Sequence, residues 1–392
     1  MRFFLMFIFL VILTYGPGLF YTLFRNGKKL LKWLLLVIPS IFMLFYGLMM
    51  MKIIPIDSMT MCIMNMTFII CMLPVDILFL FKGIYLLIEK YKGKKIKWLN
   101  SLGVGFSILV FIILLIGVCE RKNIMVRETQ VEIQNWPEAY DGLKILQITD
   151  VHLGNIDGLE DYLEIMVELC NEQNPDIVFL TGDLVNIKAD EGLPALGIMN
   201  KLEAKIGKYA VLGNHDYGKY YNWVSDKDSI ENMNAVKKLY RDLGFDLLLN
   251  ENRILTNGMD SIAIIGTENC GEEPFPCYAD LPQAMLGVEN LPAILMTHDP
   301  SHWRNEVLGF HNIKLTCSGH THGAQMGIDC GLVKFSPAQF MYKDWDGLYA
   351  DSPTSGSCPD QYLFISRGIG YVGIPFRLGM RPEISVITLV KN

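Results

Sequence analysis

The sequence predicts an α/β protein in which two packed mixed β-sheets are flanked by helices, preceded by an α-helical transmembrane region of about four spans. Three observations carry that expectation. The front of the chain is basic and apolar and the back acidic: Lys and Arg number 14 against 4 Asp and Glu through residue 125, and 20 against 37 after it. From residue 126 short apolar runs alternate with stretches of helical spacing, the rhythm of a mostly parallel sheet covered by helices. Several of those runs end in a small polar cluster, and open α/β sheets place their ligands at the carboxyl ends of strands. The chain therefore divides into a transmembrane region, 1–125, and a soluble domain, 126–392.

In the front, Phe3 to Phe24, Leu30 to Met51, Met59 to Ile88 and Trp98 to Val118 are each apolar and long enough to cross a bilayer, which takes about 20 helical residues. The third carries Pro74, Asp76 and Lys82, which suit the inside of a bundle or an interface reached by snorkelling. Arg25, Lys28, Lys29 and Lys32 follow the first span, and Lys90, Lys92, Lys94, Lys95 and Lys97 the third. The other side has Arg2, Lys52, Arg121, Lys122 and Arg127. Nine cations against five favour the first and third loops being cytoplasmic, which puts the soluble domain outside the cytoplasm.

In the back, Val126 to Ile133 alternates like a half-exposed strand and Leu143 to Thr149 is a buried run. Leu159 to Cys170, Pro194 to Glu203 and Ile230 to Leu243 have helical spacing. Ile177 to Leu180 and Tyr209 to Leu212 read as buried strands between them. After Phe245 the strands crowd together: Ile254 to Thr256, Ser261 to Gly266, Ala293 to Thr297, Ile313 to Cys317, Gly331 to Phe335, Tyr362 to Ser366 and Ile384 to Val390. A second sheet packed on the first accommodates them. No cluster of Lys and Arg appears after residue 130, which argues against nucleic acid as a partner.

The strand ends carry the chemistry. Asp150 and His152 follow one run, Asp183 the next, and Gly213-Asn214-His215-Asp216 the third. His298 and the paired His320 and His322 follow two later ones. A lone histidine on a strand is more often core than ligand, but seven such residues, all at strand ends, reverse that reading. The mixed oxygen and nitrogen set suits two divalent ions such as Mn, Fe or Zn.

These blocks, D-x-H, G-D, G-N-H-D, a lone H and G-H-x-H in that order, resemble the calcineurin-like metallophosphoesterase superfamily from about Val126 onward. The ending, with Ser366-Arg367-Gly368-Ile369-Gly370 and Pro375-Phe376-Arg377, is similar to its membrane-associated branch, whose members act on phosphate esters of lipids or on UDP-diacylglucosamine. The resemblance implies that Asp150, His152 and His322 hold one metal, that Asn214, His298 and His320 hold the other, and that Asp183 bridges them. It implies hydrolysis of a phosphate ester, diester or pyrophosphate by hydroxide generated at the metal pair. It makes His215 the catalytic histidine, contacting the phosphoryl group and protonating the leaving oxygen. Many relatives hold that imidazole with an aspartate three residues beyond the bridging one; here the position is Asn186, and Asp216 is the next candidate.

Arg367 and Arg377 are candidates to clamp a phosphate or lipid headgroup through their planar forks, with salt bridges between strands as the alternative. Cys270 and Cys277 bracket a Pro-rich loop and form the first candidate disulfide; Cys330 and Cys358 form the second. The expected partners are the lipid bilayer and a phosphorylated small-molecule or lipid substrate. Two rivals stand beside this reading: a cytoplasm-facing hydrolase of a nucleotide-linked lipid pyrophosphate, and an inert membrane sensor or scaffold.

Overall fold

The computed structural model describes residues 57–331, 333–351 and 360–392, together with the isolated positions 37, 40–42, 44 and 48. The chain packs as two units, Met1–Val118 and Cys119–Asn392.

In the first unit, helix α1 (Ser58–Lys92) starts at Asp57, whose carboxylate accepts from Thr60 N at 2.8 Å. It stops at Gly93, which takes the left-handed conformation that a helix terminus favours. Helix α2 begins at Trp98 and runs to Glu120. Ser107 Oγ donates to the Pro74 carbonyl at 2.7 Å, so the proline inside α1 becomes a tie to α2. Both helices are long and apolar enough to span a membrane. Of the four expected spans, these are the two that the described residues contain. Phe3 to Phe24 lies outside the described residues, and so does Leu30 to Met51 but for the isolated positions.

The second unit opens with β1 (Met125–Ile133), β2 (Leu143–Ile148), α3 (Leu159–Glu172), β3 (Ile177–Thr181), α4 (Leu196–Met199) and β4 (Gly207–Val211). Next come α5 (Asp226–Asp242), β5 (Asp246–Leu247), β6 (Glu251–Thr256), β7 (Ser261–Gly266), α6 (Leu281–Ala284), β8 (Ala293–Met296) and α7 (Ser301–Asn305). Last are β9 (Ile313–Ser318), β10 (Ile328–Asp329), β11 (Lys334–Phe335), β12 (Gly347–Asp351), β13 (Gln361–Ile365) and β14 (Glu383–Lys391).

Two mixed sheets result, ordered β1-β14-β2-β3-β4-β5 and β12-β13-β9-β8-β7-β6. In the first, β2, β3 and β4 are parallel neighbours; in the second, β7, β8 and β9 are. Parallel strands in register send their carboxyl ends to one edge, which is why the polar clusters can meet.

The layers follow from the side-chain pattern. Ile145, Ile177, Phe179 and Val211 of the first sheet pack against Ile264, Ile294, Met296 and Leu315 of the second in one buried cluster. On the other face of the first sheet lie Tyr162, Leu163, Met166, Val167 and Cys170 of α3, at helical spacing, with Val236, Leu239 and Tyr240 of α5. Trp303 and Val307 belong to the cluster on the far face of the second sheet. The arrangement is the helix–sheet–sheet–helix sandwich.

Two expected elements change form. The helix expected over Pro194 to Glu203 is a 3-10 turn, Ala189–Ala195, followed by the single turn α4, because Pro194 lacks a donor and Gly192 and Gly197 weaken a helix interior. The strand expected over Gly331 to Phe335 contracts to β11, which pairs only with β10 in a small hairpin outside both sheets.

Phe179 is completely buried between the sheets. Phe179→Ala should lower stability by about 3–5 kcal/mol, read as a shift in the urea midpoint at unchanged m value. A loss below about 1 kcal/mol would show that the sheets do not pack through that ring.

Candidate metal centre

Each polar cluster emerges just past a strand end, and the backbone there is strained. Asp150, His152, Asp183, His320 and His322 all have positive φ, between 48° and 69°. Non-glycine residues in that region cost about 1–3 kcal/mol each and persist where the surroundings over-determine them. Glycine makes the approach possible: a Cβ on Gly182 would stand 2.6 Å from Gly213 N and 2.7 Å from His298 Nδ1, and one on Gly213 would strike Asp183 Oδ1.

Asp150, His152, Asp183, Asn214 and His298 are almost completely buried, and His322 nearly so. Nε2 of His152 and Nε2 of His322 approach to 3.2 Å, and His322 Nε2 lies 3.3 Å from Asp150 Oδ1. His298 Nε2 lies 3.2 Å from Asp183 Oδ2 and 3.1 Å from Asn214 Oδ1. Three overlapping triads have ligand atoms within 4.8 Å of one another: Asp150, His152 and His322; His152, Asp183 and His215; Asp183, His298 and His320. The seven expected ligands are thus brought together, and Asp183 belongs to two of the triads.

Burial, reinforced by neighbouring cationic groups, pushes the imidazoles of His152 and His322 well below their ordinary range, and burial with the nearby Asp183 carboxylate lifts the Asp150 carboxyl to about 6. Burial also opposes a charge on His298, yet the Asp183 carboxylate overrides it and raises that ring to about 10. A buried pair of carboxylates calls for positive charge, and the polypeptide offers one imidazolium. The donors fit a pair of divalent ions. The carbonyl of Thr181 accepts a hydrogen bond from His298 Nδ1 at 2.8 Å and so turns Nε2 toward the cluster, as the outer partner of a ligating histidine does.

His215 is half-buried and held differently. Its backbone N–H donates to Asp183 Oδ1 at 2.8 Å, and its ring Nδ1 donates to the carbonyl of Asn186 at 2.9 Å. Asn186 thus supplies through its main chain the acceptor that the resemblance led one to expect from an aspartate side chain. Glu191 shapes that loop, its carboxylate accepting from the N–H groups of Asn186 at 2.6 Å, Ile187 at 3.2 Å and Lys188 at 3.1 Å.

Asp216 does not take the catalytic place expected for it. Its completely buried carboxylate accepts from Asp183 N at 2.9 Å, Gly213 N at 2.8 Å, Val185 N at 3.2 Å and Tyr240 Oη at 2.7 Å. That bracing locks the loops of β3 and β4 together.

The two arginines also depart from the headgroup clamp. Arg367 is buried and bonds Asp346 at 2.8 and 3.0 Å, and also pairs with Asp329. Arg377 is completely buried with its donors on the carbonyls of Gly370, His322, Met380, Arg367 and Gly368, and with one Nη2 3.1 Å from His322 Nδ1. The salt-bridge and scaffold alternative describes both. The Cys270–Cys277 disulfide is formed. The second expected pair is not seen: Cys330 is an exposed free thiol, and Cys358 lies outside the described residues.

Sequence reasoning missed the aromatic surround. Tyr220 lies 4.5 Å from His215 between ring centroids, and its hydroxyl accepts from Asn214 Nδ2 at 2.8 Å. Phe275, inside the disulfide-closed loop, meets His320 edge-on at 4.7 Å, and Tyr342 Oη lies 3.2 Å from His320 Nε2. Tyr220 alone had a signal, its place five residues beyond His215.

Two packed mixed sheets that gather buried carboxylates, imidazoles and an amide at one edge define the metallophosphoesterase class. The sequence model of the calcineurin-like phosphoesterases matches residues 143–324, and the chain carries a calcineurin-like metallophosphoesterase domain. It is 29% identical over 276 residues to a transmembrane protein with metallophosphoesterase domain from Bos taurus, covering 67% of this chain and 56% of that one. It is 28% identical over 267 residues to the uncharacterized metallophosphoesterase YkuE of Bacillus subtilis, covering 64% and 81%. The chain thus spans little more than half the length of the bovine relative. A dimetal phosphatase from Danio rerio overlaps at a TM-score of 0.32 and 14% identity, covering 58% of this chain and 88% of that one.

Arg367→Ala should cost about 1.5–3 kcal/mol of stability, because it removes one of the cations on the buried carboxylates of Asp346 and Glu383, which keep Arg127, while Asp346 also keeps Lys334. A raised KM at unchanged stability would instead restore the substrate clamp. Asp216→Ala orphans buried donors worth about 1–3 kcal/mol each. It should therefore unfold at lower urea, whereas a purely catalytic residue would leave the midpoint where it was.

Proposed function

We propose that this chain is a membrane-anchored, dinuclear-metal phosphoesterase that hydrolyses a phosphate ester, diester or pyrophosphate bond of a lipid or cell-envelope compound. The observation that carries the reading is the convergence of Asp150, Asp183, four imidazoles and the Asn214 amide in a buried cluster, with the ring of His215 beside it but tied to the Asn186 carbonyl. Asp150, His152 and His322 would hold one ion, Asn214, His298 and His320 the other, and Asp183 both. Ions bound there supply Lewis acidity toward a phosphoryl oxygen and a water acidified to near-neutral pKa.

The remaining work falls to the polypeptide. Strand ends and strained loops hold the donors in place before substrate arrives, so little reorganisation is left for the reaction. With Nδ1 committed to the Asn186 carbonyl, Nε2 is the atom at which His215 carries a proton to a leaving oxygen. Tyr220 packs against one side of that ring.

The catalytic unit is proposed to face away from the cytoplasm. The distribution of Lys and Arg supports that side, and so does a disulfide, which persists in oxidising compartments.

The test is turnover by the detergent-purified chain with Mn, using 4-nitrophenyl phosphate and bis(4-nitrophenyl) phosphate. Asp183→Asn should lose both bound metal and activity. His215→Ala should lower kcat by roughly 10²–10⁴-fold at near-normal metal content. Full activity in Asp183→Asn would end the enzymatic reading, and metal loss in His215→Ala would make that residue a ligand.

A further inference from the structure

A cluster of exposed apolar side chains stands beside the metal centre and has no place in the chemistry above. Met326, Ile328, Val333, Phe335, Phe340 and Met341 are all exposed, Ile328 by 57% and Phe340 by 78%. Ile328, Phe335 and Phe340 form one surface, and Met326, Val333 and Met341 are close to them along the chain. Ile328 and Phe335 are directly paired across the β10–β11 hairpin and so share a face, and the ring of Phe335 lies 6.2 Å from that of Phe340. Contiguous exposed patches of this kind mark interaction sites, because a soluble surface gains nothing by displaying them.

Hydrogen bonds within residues 119–392 connect this hairpin to the point where the chain leaves its last apolar helix. Glu120 closes α2, and its carboxylate accepts from Gly379 N at 2.8 Å. Arg381 donates to the Asn123 carbonyl at 3.0 Å and to its side chain at 2.7 Å. The neighbouring residue Leu378 then pairs with the base of the hairpin: its carbonyl accepts from Gly327 N and its N–H donates to Gln325 O, each at 2.9 Å. A helix that crosses a bilayer delivers its end to the bilayer surface. Segment 378–381 ties that end, Glu120–Asn123, to the root of the apolar hairpin.

We propose that the β10–β11 hairpin and the following turn through Met341 rest in the interfacial layer of the bilayer in which the chain is anchored. The occupant of the patch is lipid. Interfacial segments bury an apolar face about 5–10 Å into the headgroup and acyl boundary, with aromatic rings at that level. Phe335 and Phe340 are such rings. The next residue after the patch, Tyr342, touches His320, so the surface that meets lipid continues into the rim of the site. This inference uses the membrane anchoring of the reading above and none of its catalytic steps.

Hydrophobic photolabelling of the full chain tests it. The chain is reconstituted in vesicles of phosphatidylcholine and phosphatidylglycerol that contain a phosphatidylcholine with a diazirine in its acyl chain, and labelled peptides are mapped by mass spectrometry. Label is expected in the peptide covering residues 326–341 as well as in α1 and α2. In Ile328→Asp/Phe340→Asp, changed only at exposed positions, label in that peptide should fall at least tenfold, with melting temperature and metal content unchanged.

Label confined to the apolar helices overturns the inference while leaving the anchoring intact. Label in neither overturns both. A peptide 326–341 that escapes lipid label but cross-links to a second copy assigns the patch to self-association and also overturns it. Turnover of a soluble diester plays no part in these outcomes, so failure of the enzymatic reading is recognised separately.

Discussion

The constraint on which the rest depends is the burial of Asp150 and Asp183 close together and away from water. Two like charges in a dry cleft are unfavourable unless something of opposite charge joins them. The surroundings are arranged for that guest. Imidazoles that burial keeps neutral turn ring nitrogens inward, and the main-chain carbonyl of Thr181 fixes which nitrogen of His298 does so. The left-handed backbone at five of the ligand positions belongs to the same arrangement, since it aims side chains that an ordinary loop would not bring together.

A site so strained needs bracing, and the bracing uses carboxylates in a second way. Asp216 and Glu191 are buried or nearly so, but they accept from main-chain N–H groups and do not point at the cluster. Each converts a loop that has no regular hydrogen-bond ladder into a fixed shape. This explains how the chain manages with Asn186 where the family resemblance leads one to expect an aspartate. Once Glu191 fixes the loop, the carbonyl of residue 186 serves as acceptor for His215, and the side chain is released from that task.

Much of the fold and the gathering of the candidate ligand residues were legible because they rest on local pattern. Short apolar runs made β2, β3, β4, β8 and β9, and the polar clusters sat directly after them. What was not legible depended on distant pairing. β1 and β14 lie some 250 residues apart and run parallel at one sheet, a register that no local pattern encodes. Arg367 and Arg377 show the same limit. Their charge is visible in sequence, but a clamp and a strut differ only in whether the guanidinium meets substrate or a buried Asp346 and a row of carbonyls. Asp216 was misplaced for a related reason: adjacency to His215 along the chain said nothing about the tyrosine 24 residues on that shares its carboxylate.

The division of the ligands between the sheets has a consequence for stability. Asp150, His152, Asp183 and Asn214 follow strands of the first sheet, and His298, His320 and His322 follow strands of the second. Any ion held by Asp183 and His298 together therefore links the two layers at the edge where their strands end. The interior of the sandwich is mainly apolar contact, with buried hydrogen bonds such as Gln147 Nε2 to Ser318 O at 2.9 Å between the sheets. A metal bound across the edge stabilises the folded chain by mass action, because the unfolded chain cannot assemble donors drawn from five separate strand ends. With ions bound, strain in the loops and stability of the sandwich would be coupled through the same atoms, and the loops that look costly in isolation would become the seam that holds the sheets in alignment.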